Sequence, residues 1–220
     1  DALLAVADGM GGHAAGEVAS AMAIQGIRSR LSRDGLGEGA QPGPQDYERL
    51  MKQAVQDLNS EVRKAAEQPA TMGMGTTLTA ALILGPLVII SHVGDSRAYL
   101  FRSGRMQQLS QDHSWVAENV EAGNLTLEQA RVHPNRNVIT QAMGINAEPA
   151  VQTKTLDLRD GDLLLLCSDG LHGLAGDDEI KELLQSGKPE QAIKDLIQRA
   201  KDRGGNDNIT VVIGTVKRQG

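Results

Sequence analysis

The sequence predicts an α+β layered fold, and three observations carry that reading. Strand-length apolar runs stand at residues 2–8, 76–85, 87–95 and 162–171. Turns as short as Gly85-Pro86 and Ser103-Gly104 join the central runs, which favours antiparallel pairing because a parallel crossover needs a longer connection. Long stretches of helical periodicity lie between groups of strands rather than after each strand.

Taken in order, "ALLAVAD" at 2–8 reads as a buried strand that ends on a carboxylate. From 14 to 33 the pattern turns helical, with Val18, Met22, Ile27 and Leu31 on roughly one face. The Gly/Pro-rich stretch 34–46, "DGLGEGAQPGPQD", reads as a loop between helices rather than a domain linker. Helical spacing resumes over 47–67 through Leu50, Ala54, Leu58 and Val62. Beyond Gly73 and Gly75 come "TTLTAALILG", "LVIISHVGD" and "RAYLFRSGRMQQL", each strand-like. Residues 112–130 return to helix, and "TLEQ" at 126–129 has the capping-box spacing that starts a short second helix. "DLLLLCSDGL" at 162–171 is another buried strand ending on aspartate and glycine. A helix is expected from about residue 178 and another over 189–203, where Pro189 suits the first turn and Gly204 the stop. "NITVVIGTV" at 208–216 closes as a strand, and 1–220 reads as a single domain without solenoid repeats.

Composition narrows the function classes. Aromatic residues are only 2% of the chain, so the core must be aliphatic. A net charge of -6 argues against a nucleic-acid binder that relies on a basic face. Cys167 is the only cysteine, which excludes an internal disulfide and points to a reducing compartment. No apolar run approaches the length of a membrane span, so a cytoplasmic monomer without membrane or nucleic-acid partners is expected. The chain opens inside an apolar run, and a preceding segment is expected to be missing.

Four aspartates share a context. Asp8 ends "LLAVAD", Asp95 ends "LVIISHVGD", Asp169 follows "LLLLCS", and Asp207 precedes "ITVV", each with a glycine nearby. If these strand ends share one mouth, their charges repel and need a cation to neutralise them. Hard divalent ions such as Mg²⁺ and Mn²⁺ prefer such oxygen ligands. The five histidines form no HxxxH pair and have no cysteine partner, so zinc is poorly supported. Asp-Gly is also a common turn dipeptide, and spacing by itself leaves the turn and ligand readings both open.

Six motifs occur in order: "VADGMGGHAAGEVAS", "MGTTLTA", "HVGDSRAYLFRSG", "QDHSW", "CSDGL" and "GGNDNITVV". Together they resemble the metal-dependent protein phosphatases of the protein phosphatase 2C type, over residues 5–212 and most closely the compact bacterial members. The resemblance implies a four-layer α-β-β-α sandwich, two antiparallel sheets flanked by helices, with a binuclear Mn²⁺/Mg²⁺ centre between the sheets. It further implies that Asp8 bridges both metals, Gly9 contributes its carbonyl oxygen, and Asp169 and Asp207 ligate the second metal. Asp95, with Asp169, matches the position of a third, weaker ion. The implied reaction is hydrolysis of phosphoserine or phosphothreonine in proteins by metal-activated water, opposing a bacterial Ser/Thr kinase.

Some features depart from the family pattern. Its members usually begin with a strand that carries a phosphate-binding arginine, followed by an acidic residue near the second metal, and neither is assigned here. Many eukaryotic relatives have histidine after the Asp-Gly pair as a general acid, whereas this chain has Met10, so the general acid stays unassigned. His13 is expected to play a structural role. The segment 122–137 corresponds to the family's flap, and its Arg131, His133 and Arg136 are candidates for substrate contact. Two other classes compete: a catalytically silent binding module on the same fold, and a metal-dependent hydrolase of nucleotides. The four aspartates argue against the first, and the absence of a P-loop argues against the second.

Overall fold

The computed structural model describes residues 1–31, 43–185 and 188–217, the side chain of His13 excepted. Strand β1 (Ala2–Val6) leads through β2 (Gly9–Met10) into α1 (His13–Arg30). After α2 (Pro44–Ala66) come β3 (Gly75–Thr76), β4 (Leu78–Leu84), β5 (Leu87–Val93), β6 (Arg97–Arg102) and β7 (Arg105–Gln108). Helices α3 (Trp115–Glu121) and α4 (Leu127–Val132) precede β8 (Gln152–Asp157) and β9 (Leu163–Cys167). Then follow α5 (Asp169–His172), α6 (Asp177–Gln185), α7 (Pro189–Asp202) and β10 (Val211–Thr215).

Two four-stranded sheets form, in the orders β1-β4-β5-β8 and β10-β9-β6-β7, and every neighbouring pair is antiparallel. Val6, Ala81, Val88, Ile90, Leu100, Leu164 and Leu166 pack between the sheets. On the outer face of the first sheet, Ala19, Ile27, Met51, Leu58 and Val62 of α1 and α2 cover Leu78, Leu82 and Ile89. On the second, Leu171, Ile180, Leu184 and Leu196 cover Tyr99, Leu163, Leu165 and Cys167. The α-β-β-α sandwich expected from the sequence is the one observed. It also explains the unbroken run at 163–167: alternate side chains face the helices and the other sheet, so neither face of β9 meets water. Leu164→Ala would remove a side chain with no exposure at the centre of the sandwich and is expected to lower stability by about 2–5 kcal/mol. Urea denaturation checks this, and a loss well under ~1 kcal/mol would mean that the core refills the space.

The hairpins form where the short turns stand. Ser103 and Gly104 both take positive φ, 49° and 76°, the conformation that lets a two-residue turn match the strand twist. Helix α4 is capped as its sequence suggests: the Gln129 N–H donates to Thr126 Oγ1, and the Thr126 N–H donates to Gln129 Oε1.

Several elements differ from expectation. Helix α1 turns Gly16, Ala19, Ala23 and Ile27 inward, while Val18 is 42% exposed. Small residues face in because the neighbours come close: a Cβ on Gly26 would stand 2.0 Å from Leu58 Cδ2. In α2, Leu50 is likewise exposed, and Met51 and Val55 join Ala54, Leu58 and Val62 in the core. Most of the loop read at 34–46 lies outside the described residues, and its last part, from Pro44, is the first turn of α2. Proline needs no donor there, and the Gly43 N–H is taken by the Asp46 carboxylate at 2.9 Å. The two helices expected within 112–130 form, but the first starts only at Trp115, after Asp112 and His113, and Gly123 at φ 74° parts it from the second. Strand β8 has no counterpart in the reading, because "QTKTLD" carries little apolar signal at the sheet edge. Among the described residues, no helix is long and apolar enough to cross a membrane.

Candidate metal centre

The topology brings the four aspartates to one end of the sandwich. Both β1 and β5 run antiparallel to β4, so Val6 and His92, near their C-terminal ends, both pair with Thr79. In the second sheet the end of β9, Cys167, pairs with the start of β6 at Arg97 and the start of β10 at Val211. Asp8 and Asp95 thus follow strands of one sheet. Asp169 follows a strand of the other, and Asp207 precedes one.

Local bonds hold each position. Beyond Asp8, β2 pairs with β3, and Gly9 runs so close to α1 that a Cβ would stand 1.9 Å from the Gly16 carbonyl oxygen. Only glycine allows that approach. Asp169 and Asp207 are brought together through their neighbours. Ser168 Oγ donates to the Asn208 carbonyl at 2.9 Å and accepts from the Thr210 N–H at 3.0 Å. A Cβ on Gly170 would lie 2.4 Å from that same Asn208 oxygen. The Asn208 N–H in turn donates to Asp207 Oδ1 at 2.7 Å.

The carboxyls act on one another's protonation. Burial, then the charge of Asp169 and a hydrogen bond with it, push the Asp8 carboxyl up to about 8, and Asp207 and Asp95 add to the shift. Asp169 is also raised, by burial and by Asp207, while its bond with Asp8 opposes the rise. Asp95 is pushed up to about 7 by burial, with Asp169 and Asp112 contributing. Asp169 Oδ1 is shut off from solvent and has no hydrogen-bond partner. An orphaned carboxylate oxygen beside other carboxylates costs free energy that a cation recovers.

These residues fit hard divalent cations, since every candidate donor is oxygen. Among the described residues, no three His, Cys, Asp or Glu side chains form a ready-made metal cage.

Around the aspartates lie residues whose parts were not legible in the sequence. Arg97 makes a forked pair with Asp112, Nε to Oδ1 at 2.9 Å and Nη2 to Oδ2 at 2.7 Å, and its Nη1 donates to Tyr99 at 3.0 Å. His172 is half-buried and donates its Nε2 proton to the Asp95 carbonyl at 2.9 Å. Burial, then Arg97, holds its pKa down to about 4. His92 is similarly held near 4 by burial and His113. The Gln111 carbonyl can only accept, so Nε2 of neutral His92 carries the proton, at 3.1 Å. "GDSR", "QDHSW" and "MGTT" already contained Arg97, Asp112 and Thr77, but the motifs do not say what these side chains touch.

The flap candidates stand apart from this cluster. Arg131 and Arg136 are exposed, and the His133 ring stacks on Trp115 with centroids 4.6 Å apart. Among the described residues, no hydrogen bond or ion pair joins these three to the four aspartates.

Residues 1–211 match the family model described as protein phosphatase 2C. The chain is 39% identical over 214 residues to a Listeria innocua protein named serine/threonine phosphatase stp, covering 96% of this chain and 83% of that one. Its fold superposes with a TM-score of 0.88 on the crystal structure of the Mycobacterium tuberculosis serine/threonine phosphatase PstP/Ppp, at 39% identity, covering 98% of this chain and 88% of that one. A second structure, the catalytic domain of PstP in complex with two manganese ions, matches with a TM-score of 0.84 at 39% identity and the same coverage. A match of this length, on a fold that gathers the expected aspartates at one end, places the chain in the protein phosphatase 2C family.

Proposed function

We propose that the chain is a single catalytic domain that hydrolyses phosphoserine and phosphothreonine in proteins, with Asp8, Gly9, Asp169 and Asp207 holding two Mn²⁺ or Mg²⁺ ions. Asp95, with Asp169, holds a third, weaker one. The observation that carries this reading is the Asp8–Asp169 pair, two buried carboxyls both raised above the usual range, with one buried Asp169 oxygen left without a donor. When bound, such ions lower the pKa of coordinated water and offset charge on the phosphoryl oxygens.

The chain's own residues narrow the mechanism. Burial pushes the Cys167 thiol up to about 12, so it is protonated near neutral pH and is no nucleophile. The Ser168 hydroxyl is tied to the Asn208 and Thr210 backbone, so it does not attack phosphorus either. Hydrolysis without a phospho-enzyme at these residues is left. His172 is neutral and engaged with the Asp95 carbonyl, which removes it as a proton donor to the leaving alkoxide. Arg131 and Arg136, exposed on the flap, meet the phosphoprotein. The protein acts as a cytoplasmic monomer on the products of a Ser/Thr kinase.

A substrate panel tests this. Phosphothreonine peptide and p-nitrophenyl phosphate are expected to be cleaved in millimolar-range Mn²⁺ or Mg²⁺, nucleotides poorly, and nothing in excess EDTA. Undiminished cleavage in EDTA would overturn the metal assignment, and a preference for nucleotides would overturn the substrate class.

A further inference from the structure

The segment carrying Asp8 and the turn carrying Asp95 are joined through one small side chain. Thr77 stands between β3 and β4 and has no exposure. Its Oγ1 accepts from the Asp8 N–H at 2.9 Å and lies 2.8 Å from Ser96 Oγ. Its own N–H donates to the Asp8 carbonyl at 2.9 Å, and the Thr76 hydroxyl donates to that same carbonyl at 3.0 Å. The Thr77 methyl presses on the far side of the joint. A Cβ on Gly94, at φ +108°, would stand 2.5 Å from Thr77 Cγ2.

The rest of the 94–96 turn is pinned as firmly. The Gly94 N–H donates to His113 Nδ1 at 3.0 Å, and the His113 N–H donates to the Gly94 carbonyl at 2.7 Å. His172 holds the Asp95 carbonyl, and the Thr79 hydroxyl lies 3.1 Å from the Ser96 carbonyl. A scaffold this fully bonded surrounds carboxyls that repel one another, and repelling groups keep a fixed spacing only when their backbone cannot yield.

We propose that Thr77 is a positioning residue, whose hydroxyl locks the Asp8 segment to the Asp95 turn and sets the spacing of the two carboxylates. The proposal rests on the metal assignments above. Thr77→Val keeps the shape and the methyl but strips the partner from the Asp8 N–H and from Ser96 Oγ. Thr77→Ser keeps the hydroxyl. Calorimetric titration with MnCl₂ is expected to show roughly tenfold weaker binding in Thr77→Val and wild-type affinity, within about threefold, in Thr77→Ser. At saturating Mn²⁺, kcat for p-nitrophenyl phosphate falls in Thr77→Val while KM stays near its wild-type value.

A Thr77→Val protein that melts at a lower temperature yet binds Mn²⁺ with wild-type affinity and number has lost only stability, and the positioning role is then wrong. Should Thr77→Val fail to fold, Ser96→Ala cuts the far half of the joint alone. It is expected to weaken the weakest Mn²⁺ site by roughly tenfold and leave the tighter ions in place. An unchanged isotherm in Ser96→Ala overturns the proposal. Asp8→Asn in the same titration separates the two failures. If it binds Mn²⁺ like the wild type, the metal assignment falls and the positioning role with it.

Discussion

Asp8→Asn is expected to lower kcat/KM for a phosphothreonine peptide in Mn²⁺ by roughly 10³-fold or more. Asparagine keeps the shape of the side chain and removes its charge. In the metal-free protein that charge is a liability, because burial and the neighbours Asp169, Asp207 and Asp95 all oppose it. The variant should therefore melt no lower than wild type in EDTA, and higher near pH 8, while failing to gain stability from Mn²⁺. This opposition of effects distinguishes loss of a ligand from general damage, since a misfolded variant would melt early in every buffer. Retention of activity within tenfold of wild type would remove Asp8 from its assigned role.

The second large effect is a pH dependence that reverses with metal. Asp8 and Asp95 have folded-state pKa values raised to about 8 and about 7, against an ordinary value of 3.8. Between those limits the folded chain binds more protons than the unfolded one, so stability falls as pH rises. The contribution is fully present below about pH 4 and is lost through about pH 7 to 8. Metal-free protein should accordingly melt several degrees lower near pH 8 than near pH 5. Mn²⁺ should close that gap by stabilising the ionised carboxylates.

The opposite sign operates in the acid. Burial would raise Asp112 and Asp162, but bonds from Arg97 and Arg102 hold both below the usual carboxylate range. Their stabilisation is lost as pH falls through those depressed values, which gives the metal-free protein its maximum in mildly acidic solution. Melting curves in EDTA across this range measure both limbs. A melting temperature that climbs steadily toward pH 8 without metal would mean that the carboxyls do not share one site.

Much of this was legible before any coordinates. The apolar runs marked β1, β4, β5, β6, β9 and β10, because strands that pack against the core carry apolar side chains, along their whole length where both faces are covered as in β9. Ser103-Gly104 gave a hairpin because glycine supplies positive φ at no steric cost. Thr126 and Gln129 gave the start of α4, because a capping box is a contact between residues three apart. The strand β8 was not legible, since an edge strand needs little apolar surface and its partner β5 lies some sixty residues earlier in the chain. Nor was the buried face of α1, where the close approach of Leu58 and Gly9 selects small residues over Val18.

For the candidate site the division is similar. The four aspartates stand out by their position after or before an apolar run, a local property of the sequence. The bonds that hold them join Asp8 to Thr77 across 69 residues and Asp95 to His172 across 77. Sequence periodicity carries the spacing of near neighbours, so the chain by itself determined most of its strands, its hairpin turns, its family and its candidate ligands. Which side chains meet across the sandwich, and hence how Thr77, His172 and Arg97 frame the carboxylates, was decided only when the two sheets packed. Contacts between distant segments depend on the whole set of strand pairings, and no short stretch of sequence contains that set.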